Sequence, residues 1–319
     1  MPMLDMSIEE LRRYTGTNPC PLDFDEYWSR ALEELEAVDP CAEYIPSEFK
    51  TPYADCFDMY FTGVRGARIH AQCLKPKNAS EIHPALIMFH GYRGNCGDWV
   101  EKLAYVAMGY TVVAMDCRGQ GGLSEDVGGN GGPTYGGHII RGLEGNPDNL
   151  LFRNIFLDAA ELARIVMNME DVDAGRVGVT GYSQGGGLTI ACAALEPRVK
   201  MIAPVYPFLS DYKRVWEMDF AKDAYEELNY YFRFFDPLHE KEEEVFTKLG
   251  YIDVKNLAKY VKSKVMFTAT LLDNICPPST QFAAYNRITS EKTLRLYNDF
   301  GHENLPKTND AIFQFMSNL

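Results

Sequence analysis

The sequence predicts an α/β protein with a mainly parallel, twisted sheet and helices on both faces. From residue 84 onward, short apolar runs of strand length alternate with helical patterns. The runs are almost continuously hydrophobic, as strands covered on both faces are. Alternation of strands and helices is typical of a parallel sheet. We therefore expect one α/β domain over residues 1–319.

The elements can be assigned in chain order. Acidic residues followed by apolar residues at helical spacing predict a helix over 23–38. Two apolar stretches joined by a tight turn predict a hairpin of strands at 56–64 and 68–76. The later strands are expected at 84–91, 111–119, 176–183, 201–208, 264–273 and 293–302. The helices between them are expected at 99–110, 149–169, 185–197 and 278–288.

Three segments do not follow the alternation. Residues 1–44 are expected to form an N-terminal helical extension. Residues 118–145 contain eleven glycines, which favours a long surface loop over a helix. Residues 209–257 are charged and aromatic and predict a helical insertion after the sixth strand, counted from the hairpin. This insertion is expected to cover the carboxyl edge of the sheet as a lid, and a solvated helical decoration is the alternative.

Composition and charge narrow the range of functions. The 319 residues carry a net charge of −14, which argues against nucleic acid and anionic membranes as partners and favours a neutral substrate. No run approaches eighteen apolar residues, and the first residues have no apolar signal region. None of the eight cysteines forms a C-x-x-C pair. We expect a cytoplasmic protein with reduced thiols, no metal and no cofactor.

Ser183 is the candidate nucleophile. Gly181 and Gly185 flank it in a G-x-S-x-G pattern, between a predicted strand and a predicted helix. A sharp turn from strand to helix needs glycine at these positions and exposes the serine oxygen. The pattern alone is weak evidence, and a glycine-rich turn with an incidental serine is the alternative.

A serine hydroxyl needs a base to remove its proton, and we assign that role to His302. In this topology the acid and then the histidine follow the serine along the chain. His239 lies within the predicted insertion, away from any strand end. His302 follows the last predicted strand, where a loop would place it above the carboxyl edge of the sheet.

Asp273 is the preferred carboxylate partner of His302. It ends the predicted strand 264–273, so it should lie on the same edge of the sheet as the serine. Asp299, three residues before the histidine, and Asp253, within the insertion, are the alternatives. Asp299 would be a local loop neighbour, and such residues are usually solvated or form turns.

Ester hydrolysis also needs N–H donors for the developing oxyanion. One donor should be the backbone N–H of Gln184, directly after the nucleophile, and the second that of Tyr92, in the loop after strand 84–91. His90 lies in the same loop and is expected to hold it by hydrogen bonds rather than to act as a base.

These residues resemble a specific group within the α/β-hydrolases: the acetyl xylan esterase/cephalosporin C deacetylase family, carbohydrate esterase family seven. The matching signatures are RGQGG at 118–122, GYSQGG at 181–186 and HE at 302–303. The segment LLDNICPPSTQFAAYN at 271–286 is similar to the acid-bearing segment of the family. The resemblance covers nearly the whole chain.

The resemblance implies an α/β-hydrolase fold with Ser183 as nucleophile, His302 as general base and acid, and Asp273 as the orienting carboxylate. The backbone amides of Tyr92 and Gln184 would form the oxyanion hole. It also implies that acetyl groups are removed from short acetylated xylo-oligosaccharides, other sugars and cephalosporin C, by intracellular homohexamers.

Arg118 and Gln120, in the RGQ signature, would order loops beneath the site, whereas the effect of Tyr182 on substrate choice stays open. A carboxylesterase for longer acyl chains and an aminopeptidase-like serine hydrolase would share the same three catalytic residues. A non-catalytic binding protein of the same fold is a further alternative.

Overall fold

A nine-stranded sheet organises the part of the chain that the computed structural model describes, residues 4–127 and 138–319. The strand order is β1-β2-β3-β5-β4-β6-β7-β8-β9. The strands are β1 Glu43–Pro46, β2 Ala54–Thr62, β3 Arg68–Pro76, β4 His83–Phe89, β5 Thr111–Met115, β6 Val172–Tyr182, β7 Met201–Val205, β8 Lys264–Thr270 and β9 Lys292–Tyr297.

The described helices lie before, between and after these strands. They are α1 Ile8–Leu11, α2 Phe24–Glu36, α3 Leu103–Ala107, α4 Leu151–Met167, α5 Gln184–Leu195, α6 Tyr212–Glu217, α7 Glu226–Phe234, α8 Glu242–Leu249, α9 Val254–Leu257, α10 Pro278–Arg287 and α11 Thr308–Met316. Short 3-10 turns occur at Val64–Gly66, Trp99–Lys102, Pro147–Asn149, Asp223–Tyr225, Gly250–Ile252 and Ala258–Tyr260.

Parallel pairing brings the carboxyl ends of six strands to one edge of the sheet. β5, β4, β6, β7, β8 and β9 pair in parallel, whereas β1, β2 and β3 extend the other side in antiparallel fashion. In open parallel sheets, this carboxyl edge is where functional loops meet. The mainly parallel sheet predicted from the sequence is confirmed.

Both faces of the sheet are covered by helices. In β4, Ile87 packs into the core on the side of α2, α4 and α5, while its neighbour Leu86 packs into a second core with α3 and α11. Successive strand residues point to opposite faces, so a continuous apolar run needs cover on both sides. The continuous runs of the sequence therefore gave the right architecture.

The insertion 209–257 folds into α6 to α9 and contributes to the core. Tyr212, Tyr225, Phe232 and Phe246 are fully buried. The buried Asp211 carboxylate also holds the N-terminal segment, since it accepts hydrogen bonds from the N–H groups of residues 17 and 18 and from the hydroxyl of residue 14. The insertion therefore packs into the domain through a buried face and is not a fully solvated decoration.

The observed elements correct several expectations. β1 was not predicted, because its four residues form an exposed edge strand without an alternating pattern. With β1 counted, the insertion follows the seventh strand instead of the sixth, and the extension 1–44 ends inside a strand. The expected helix 99–110 is a 3-10 turn followed by the five-residue α3. The C-terminal helix α11 was missed.

The glycine-rich segment 118–145 is described only in part, since residues 128–137 lie outside the described residues. Arg118, Ile139 and Leu143, near its two ends, are buried, so the expectation of a surface loop is wrong there.

Among the described residues, the structure has no helix with both the length and the apolar character needed to cross a membrane.

Candidate active site

Ser183 occupies the turn between β6 and α5. Its φ of 55° and ψ of −115° place it in a strained backbone region for a residue with a side chain. The surrounding backbone fixes this conformation: the Ser183 N–H donates to the Val205 carbonyl (3.0 Å), and its carbonyl accepts from Gly187 (3.0 Å) and Phe208 (2.9 Å). The residue is 8% exposed. This is the geometry of a nucleophile at a strand-to-helix elbow.

The two glycines flanking Ser183 are required by close backbone contacts. A Cβ atom on Gly181 would lie 2.5 Å from the carbonyl carbon and oxygen of Gly185. A Cβ on Gly185 would lie 2.1 Å from the carbonyl oxygen of Phe89, the last residue of β4. The first turn of α5 is thus pressed against the start of the loop that carries Tyr92.

Asp273 and His302 form a hydrogen-bonded pair at the same edge of the sheet. Nδ1 of His302 lies 2.8 Å from Oδ2 of Asp273. Because a carboxylate only accepts, Nδ1 carries the proton and Nε2 is left with a lone pair. The alternatives do not reach this ring: Asp253 is buried against Lys255 (3.2 Å), and Asp299 is exposed.

The Asp273 carboxylate is fully buried and held by several donors. Its Oδ1 accepts the backbone N–H groups of Ile275 (2.9 Å) and Cys276 (2.8 Å). The Gln281 side-chain amide, from α10, lies 3.3 Å from Oδ2. These contacts orient the carboxylate, and through it the imidazole of His302.

Cys276 connects Ser183 to the acid–histidine pair. Its sulfur lies within 4.8 Å of ligand atoms of both Asp273 and His302. Burial raises the pKa of the Cys276 thiol well above its ordinary value, while a hydrogen-bonding interaction with Ser183 acts in the opposite direction. Among the described residues, the hydrogen-bond partner of His302 is Asp273 and not yet Ser183. Catalytic hydrogen bonds of this type are often longer before substrate binds.

The HE signature shapes the turn that carries His302. The Glu303 carboxylate accepts the Gly301 N–H (3.0 Å), and its backbone carbonyl accepts the hydroxyl of Tyr206 (3.2 Å). The ring of Tyr206 lies 4.6 Å from that of His302. Tyr206 follows β7, which is two strands away from β9 in the sheet, so the histidine loop contacts the loop after β7 across the carboxyl edge.

The backbone N–H groups of Tyr92 and Gln184, both near Ser183, have no acceptor within the described residues. Gln184 is the first residue of α5, where N–H groups point away from the helix. Tyr92 lies three residues after β4, in the loop that Gly185 contacts. The two predicted oxyanion donors are therefore both available.

His90 holds the loop of Tyr92 and is not available as a base. Its Nδ1 donates to the Gly91 carbonyl (2.7 Å), and its Nε2 accepts the Cys117 N–H (3.0 Å). Burial lowers the pKa of His90, which agrees with a neutral ring bonded at both nitrogens.

Arg118 and Gln120 of the RGQ signature hold segments that adjoin the site. Arg118 forms a buried bidentate pair with Asp158 of α4, with both N–O distances at 2.6 Å. The Gln120 side chain accepts the Arg93 N–H (2.8 Å) and donates to the side chain of Gln184 (2.8 Å). Arg118 and Gln120 thus make the loop-ordering contacts expected of them.

Tyr182 points away from the nucleophile, towards a cavity of about 1040 Å³. Its hydroxyl donates to Asn309 near the start of α11, and its ring meets Tyr206 edge-on at 5.8 Å. Tyr182 and Tyr206 line this cavity, whereas Ser183 and His302 do not. The Tyr206 ring thus contacts both the Tyr182 ring and the ring of His302.

Two groups of three side chains bring metal-ligand atoms together in the described part of the chain. One is Asp273, Cys276 and His302, and the other is His70, Cys96 and Asp116. In both groups the histidine and the aspartate are already hydrogen bonded to each other. We assign no metal or cofactor to either group.

Sequence reasoning missed Cys276, Gln281 and Glu227. The first two lie in the acid-bearing segment 271–286, but the sequence assigned neither of them a role. Glu227 lies in the charged insertion, where its neighbours Glu226 and Tyr225 gave no sign of which side chain is buried. Only the fold shows that Glu227 contacts Tyr92.

The fold and the arrangement of Ser183, Asp273 and His302 are those of an α/β-hydrolase with a serine nucleophile. The chain belongs to the acetyl xylan esterase family, because residues 1–319 match the family model described as "Acetyl xylan esterase (AXE1)".

Relatives of known structure agree with this family. Acetyl xylan esterase 1 from Thermoanaerobacterium sp. JW/SL YS485 is 63% identical and superposes with a TM-score of 0.97, over 98% of each chain. An acetyl xylan esterase from Paenibacillus sp. R4 is 34% identical, with a TM-score of 0.93, over 98% of this chain and 99% of that one.

A curated relative is similar over a shorter share of its own length. The acetyl esterase Axe7A of Xylanibacter ruminicola is 27% identical over 293 residues, 90% of this chain and 64% of that protein. This chain therefore spans less than two thirds of that relative.

Proposed function

We propose that this protein is a serine esterase that removes acetyl groups from small acetylated substrates through an acetyl-serine intermediate. The observation that carries the proposal is the position of Ser183 at a strained elbow beside the hydrogen-bonded His302–Asp273 pair. Acetylated xylo-oligosaccharides, other acetylated sugars and cephalosporin C are the proposed substrates. The names of the similar proteins, acetyl xylan esterases and an acetyl esterase, support the acetyl group.

In the first half-reaction, the Ser183 oxygen attacks the acetyl carbonyl carbon while Nε2 of His302 takes the hydroxyl proton. The carbonyl oxygen becomes an oxyanion and accepts hydrogen bonds from the N–H groups of Tyr92 and Gln184. The carbon–oxygen bond to the sugar alcohol then breaks, and the alcohol leaves with the proton from His302. Asp273 holds the ring in the tautomer that this transfer needs.

In the second half-reaction, water replaces the alcohol. His302 accepts a proton from the water, whose oxygen attacks the acetyl carbon, and the same two amides stabilise the second oxyanion. The bond to Ser183 breaks, the serine oxygen regains the proton, and acetate leaves. Every step uses side chains and amides that this chain supplies.

A panel of substrates tests the proposal. Nitrophenyl esters from acetyl to octanoyl, an aminoacyl arylamide, acetylated xylobiose and cephalosporin C would be compared by kcat/KM, with the Ser183→Ala variant as control. We expect the acetyl ester to be preferred and the variant to be inactive. Preference for the octanoyl ester would indicate a longer-chain carboxylesterase, and preference for the arylamide would indicate an aminopeptidase-like enzyme.

The assembly and the compartment belong to the same proposal. We propose a homohexamer, as the family resemblance implies, in the cytoplasm. The eight free cysteines favour a reducing compartment. Light scattering on a sizing column should give about six times the chain mass of 36.1 kDa. A monomer or dimer at micromolar concentration would contradict the hexamer.

A further inference from the structure

Glu227, in the first turn of α7, is a buried carboxylate held by donors from two separate segments. Its Oε1 accepts hydrogen bonds from the Tyr92 hydroxyl (2.9 Å) and the His138 N–H (2.8 Å). Its Oε2 accepts the Ile140 N–H (3.0 Å). Glu227 is 2% exposed. It therefore ties the loop after β4 to the returning end of the glycine-rich segment.

This carboxylate has no cationic partner within residues 4–127 and 138–319. Burial raises the pKa of Glu227, and its hydrogen bonds act against that rise. Ionised carboxylates without a cation are costly to bury, and an apolar side chain of similar volume would often be as stable. We therefore infer the role of Glu227 from the groups that it holds and not from a gain in stability.

Tyr92 is held through the backbone on either side of it and through its side chain, whose hydroxyl contacts Glu227. The carbonyl before Tyr92, that of Gly91, accepts from His90 (2.7 Å). The N–H after it, that of Arg93, donates to Gln120 (2.8 Å). The Tyr92 ring packs on Phe208, with ring centroids 5.5 Å apart. The Gly91 carbonyl and the Tyr92 N–H belong to one planar peptide unit, so the His90 bond sets the direction of this N–H. The bond from the Tyr92 hydroxyl to Glu227 sets how far residue 92, and with it the N–H, lies from Ser183.

Phe208 carries the same packing to the nucleophile. Its backbone N–H donates to the Ser183 carbonyl (2.9 Å). The residue whose ring packs against Tyr92 is therefore hydrogen bonded to the turn that carries the nucleophile. Glu227, Tyr92, Phe208 and Ser183 thus form one contiguous series of contacts across the oxyanion side of the site.

We propose that Glu227 is a positioning residue that holds the Tyr92 N–H at the oxyanion of the transition state, an inference that rests on the function proposed above. Its role is expressed through Tyr92 and not through contact with substrate. Oxyanion donors act when charge develops, so losing their alignment lowers kcat more than it changes KM.

The main test compares Glu227→Gln with Glu226→Gln. The two variants carry the same substitution on adjacent residues of α7, one buried and one exposed. The amide is uncharged and has one acceptor oxygen where the carboxylate has two, so every bond to this side chain, that of the Tyr92 hydroxyl included, is weakened or lost. We expect kcat for an acetyl ester to fall roughly 10- to 100-fold in Glu227→Gln, with KM within about twofold, and no change in Glu226→Gln.

A second variant separates positioning from general stability. Tyr92→Phe removes only the hydroxyl that Glu227 binds and keeps the ring and the backbone N–H. We expect a fall in kcat in the same direction, and a loss in the double variant with Glu227→Gln that is smaller than the two single losses combined, because both substitutions act on the contact between Glu227 and Tyr92. If Glu227→Gln does not fold, Tyr92→Phe decides the question alone.

Three results would overturn the inference: normal kcat in Glu227→Gln with only a lowered melting temperature, normal kcat in Tyr92→Phe, or additive losses in the double variant. The wild type and Ser183→Ala are measured first. If the wild type turns over the acetyl ester and Ser183→Ala does not, the proposed function stands, and the Glu227 variants bear on positioning alone.

Discussion

Nδ1 of His302 lies 2.8 Å from Oδ2 of Asp273, although 29 residues separate them along the chain. The contact follows from parallel pairing. β8 and β9 are neighbours whose last residues, Thr270 and Tyr297, are register partners. The loops that leave these two strands therefore start side by side, and each delivers one member of the pair to the edge where Ser183 lies.

The pair gives a direct prediction about Asp273. Asp273→Asn should keep the shape of the site but favour the wrong histidine tautomer, so kcat should fall by about 10³- to 10⁴-fold. Asp299→Asn is the matched control, since Asp299 is exposed and lies only three residues from His302. Steady-state kinetics on an acetyl ester would measure both. A near-normal rate in Asp273→Asn, or a large loss in Asp299→Asn, would move the role to another carboxylate.

The buried Arg118–Asp158 pair should be important for stability. Arg118→Met leaves the Asp158 carboxylate buried without its partner, which should lower the free energy of unfolding by about 3–5 kcal/mol. Arg30→Met breaks only an exposed helical pair with Glu26 and should cost less than about 1 kcal/mol. Urea unfolding would compare them. Equal losses in the two variants would show that burial of the pair has no special effect.

The His70–Asp116 pair predicts how stability depends on pH. Burial alone would lower the pKa of His70, but its bonds to Asp116 (2.7 Å) and Asp58 (3.1 Å) raise it above its ordinary value. A raised histidine pKa stabilises the fold fully below about pH 6.5, and this contribution is lost as the pH rises through the raised value. The stability difference between wild type and His70→Gln should therefore shrink towards alkaline pH.

Urea unfolding of both proteins at about pH 5 and about pH 9 checks this trend. His83→Gln is the control, because His83 bonds the Thr111 hydroxyl and the Ser80 carbonyl and has no carboxylate partner in the described part of the chain. For Asp116, burial alone would raise the pKa, but its hydrogen bonds hold it below the ordinary value, so its own contribution is lost only as the pH falls through that lowered pKa. A difference for His70→Gln that grows in alkali would refute the ion pair.

Gly185 should be intolerant of even one added carbon. A Cβ added to it would lie 2.1 Å from the Phe89 carbonyl oxygen. This oxygen belongs to the backbone at the end of β4 and cannot move aside as a flexible side chain would. We expect Gly185→Ala to lower the free energy of unfolding by about 3 kcal/mol or more. Gly66→Ala, at a positive φ of 76° with open space around it, should cost only about 1 kcal/mol. Equal stability of the two variants in thermal unfolding would disprove the close contact.

The parallel alternation was predictable from sequence, but the ends of the strands were not. The expected strands 201–208, 264–273 and 293–302 continue past their observed ends at Val205, Thr270 and Tyr297. After Val205 and Thr270, apolar residues continue beyond the sheet because the loops there are buried around the site. After Tyr297 the chain turns to exposed polar residues, 298 and 299, before it reaches His302. A hydrophobic pattern indicates which residues are buried, but it does not indicate where the backbone stops pairing with the neighbouring strand.

Some missed features had a signal in the sequence and others had none. Ile312 and Met316 are buried one helical turn apart, so the spacing that defines α11 could have been found. The contacts of Glu227 and Cys276 had no such signal. Each depends on segments brought together only by the fold, and a carboxylate in a charged stretch looks the same whether it is solvated or buried.

The central claim, that Ser183 is the nucleophile activated by His302, is tested most directly by covalent labelling. The protein would be incubated with a serine-directed phosphonate, digested and analysed by mass spectrometry, alongside the Ser183→Ala and His302→Ala variants. We predict one phosphonylated peptide, the one containing Ser183, that is absent in Ser183→Ala and forms far more slowly in His302→Ala. Labelling of another residue with loss of activity, or full activity in Ser183→Ala, would contradict the claim.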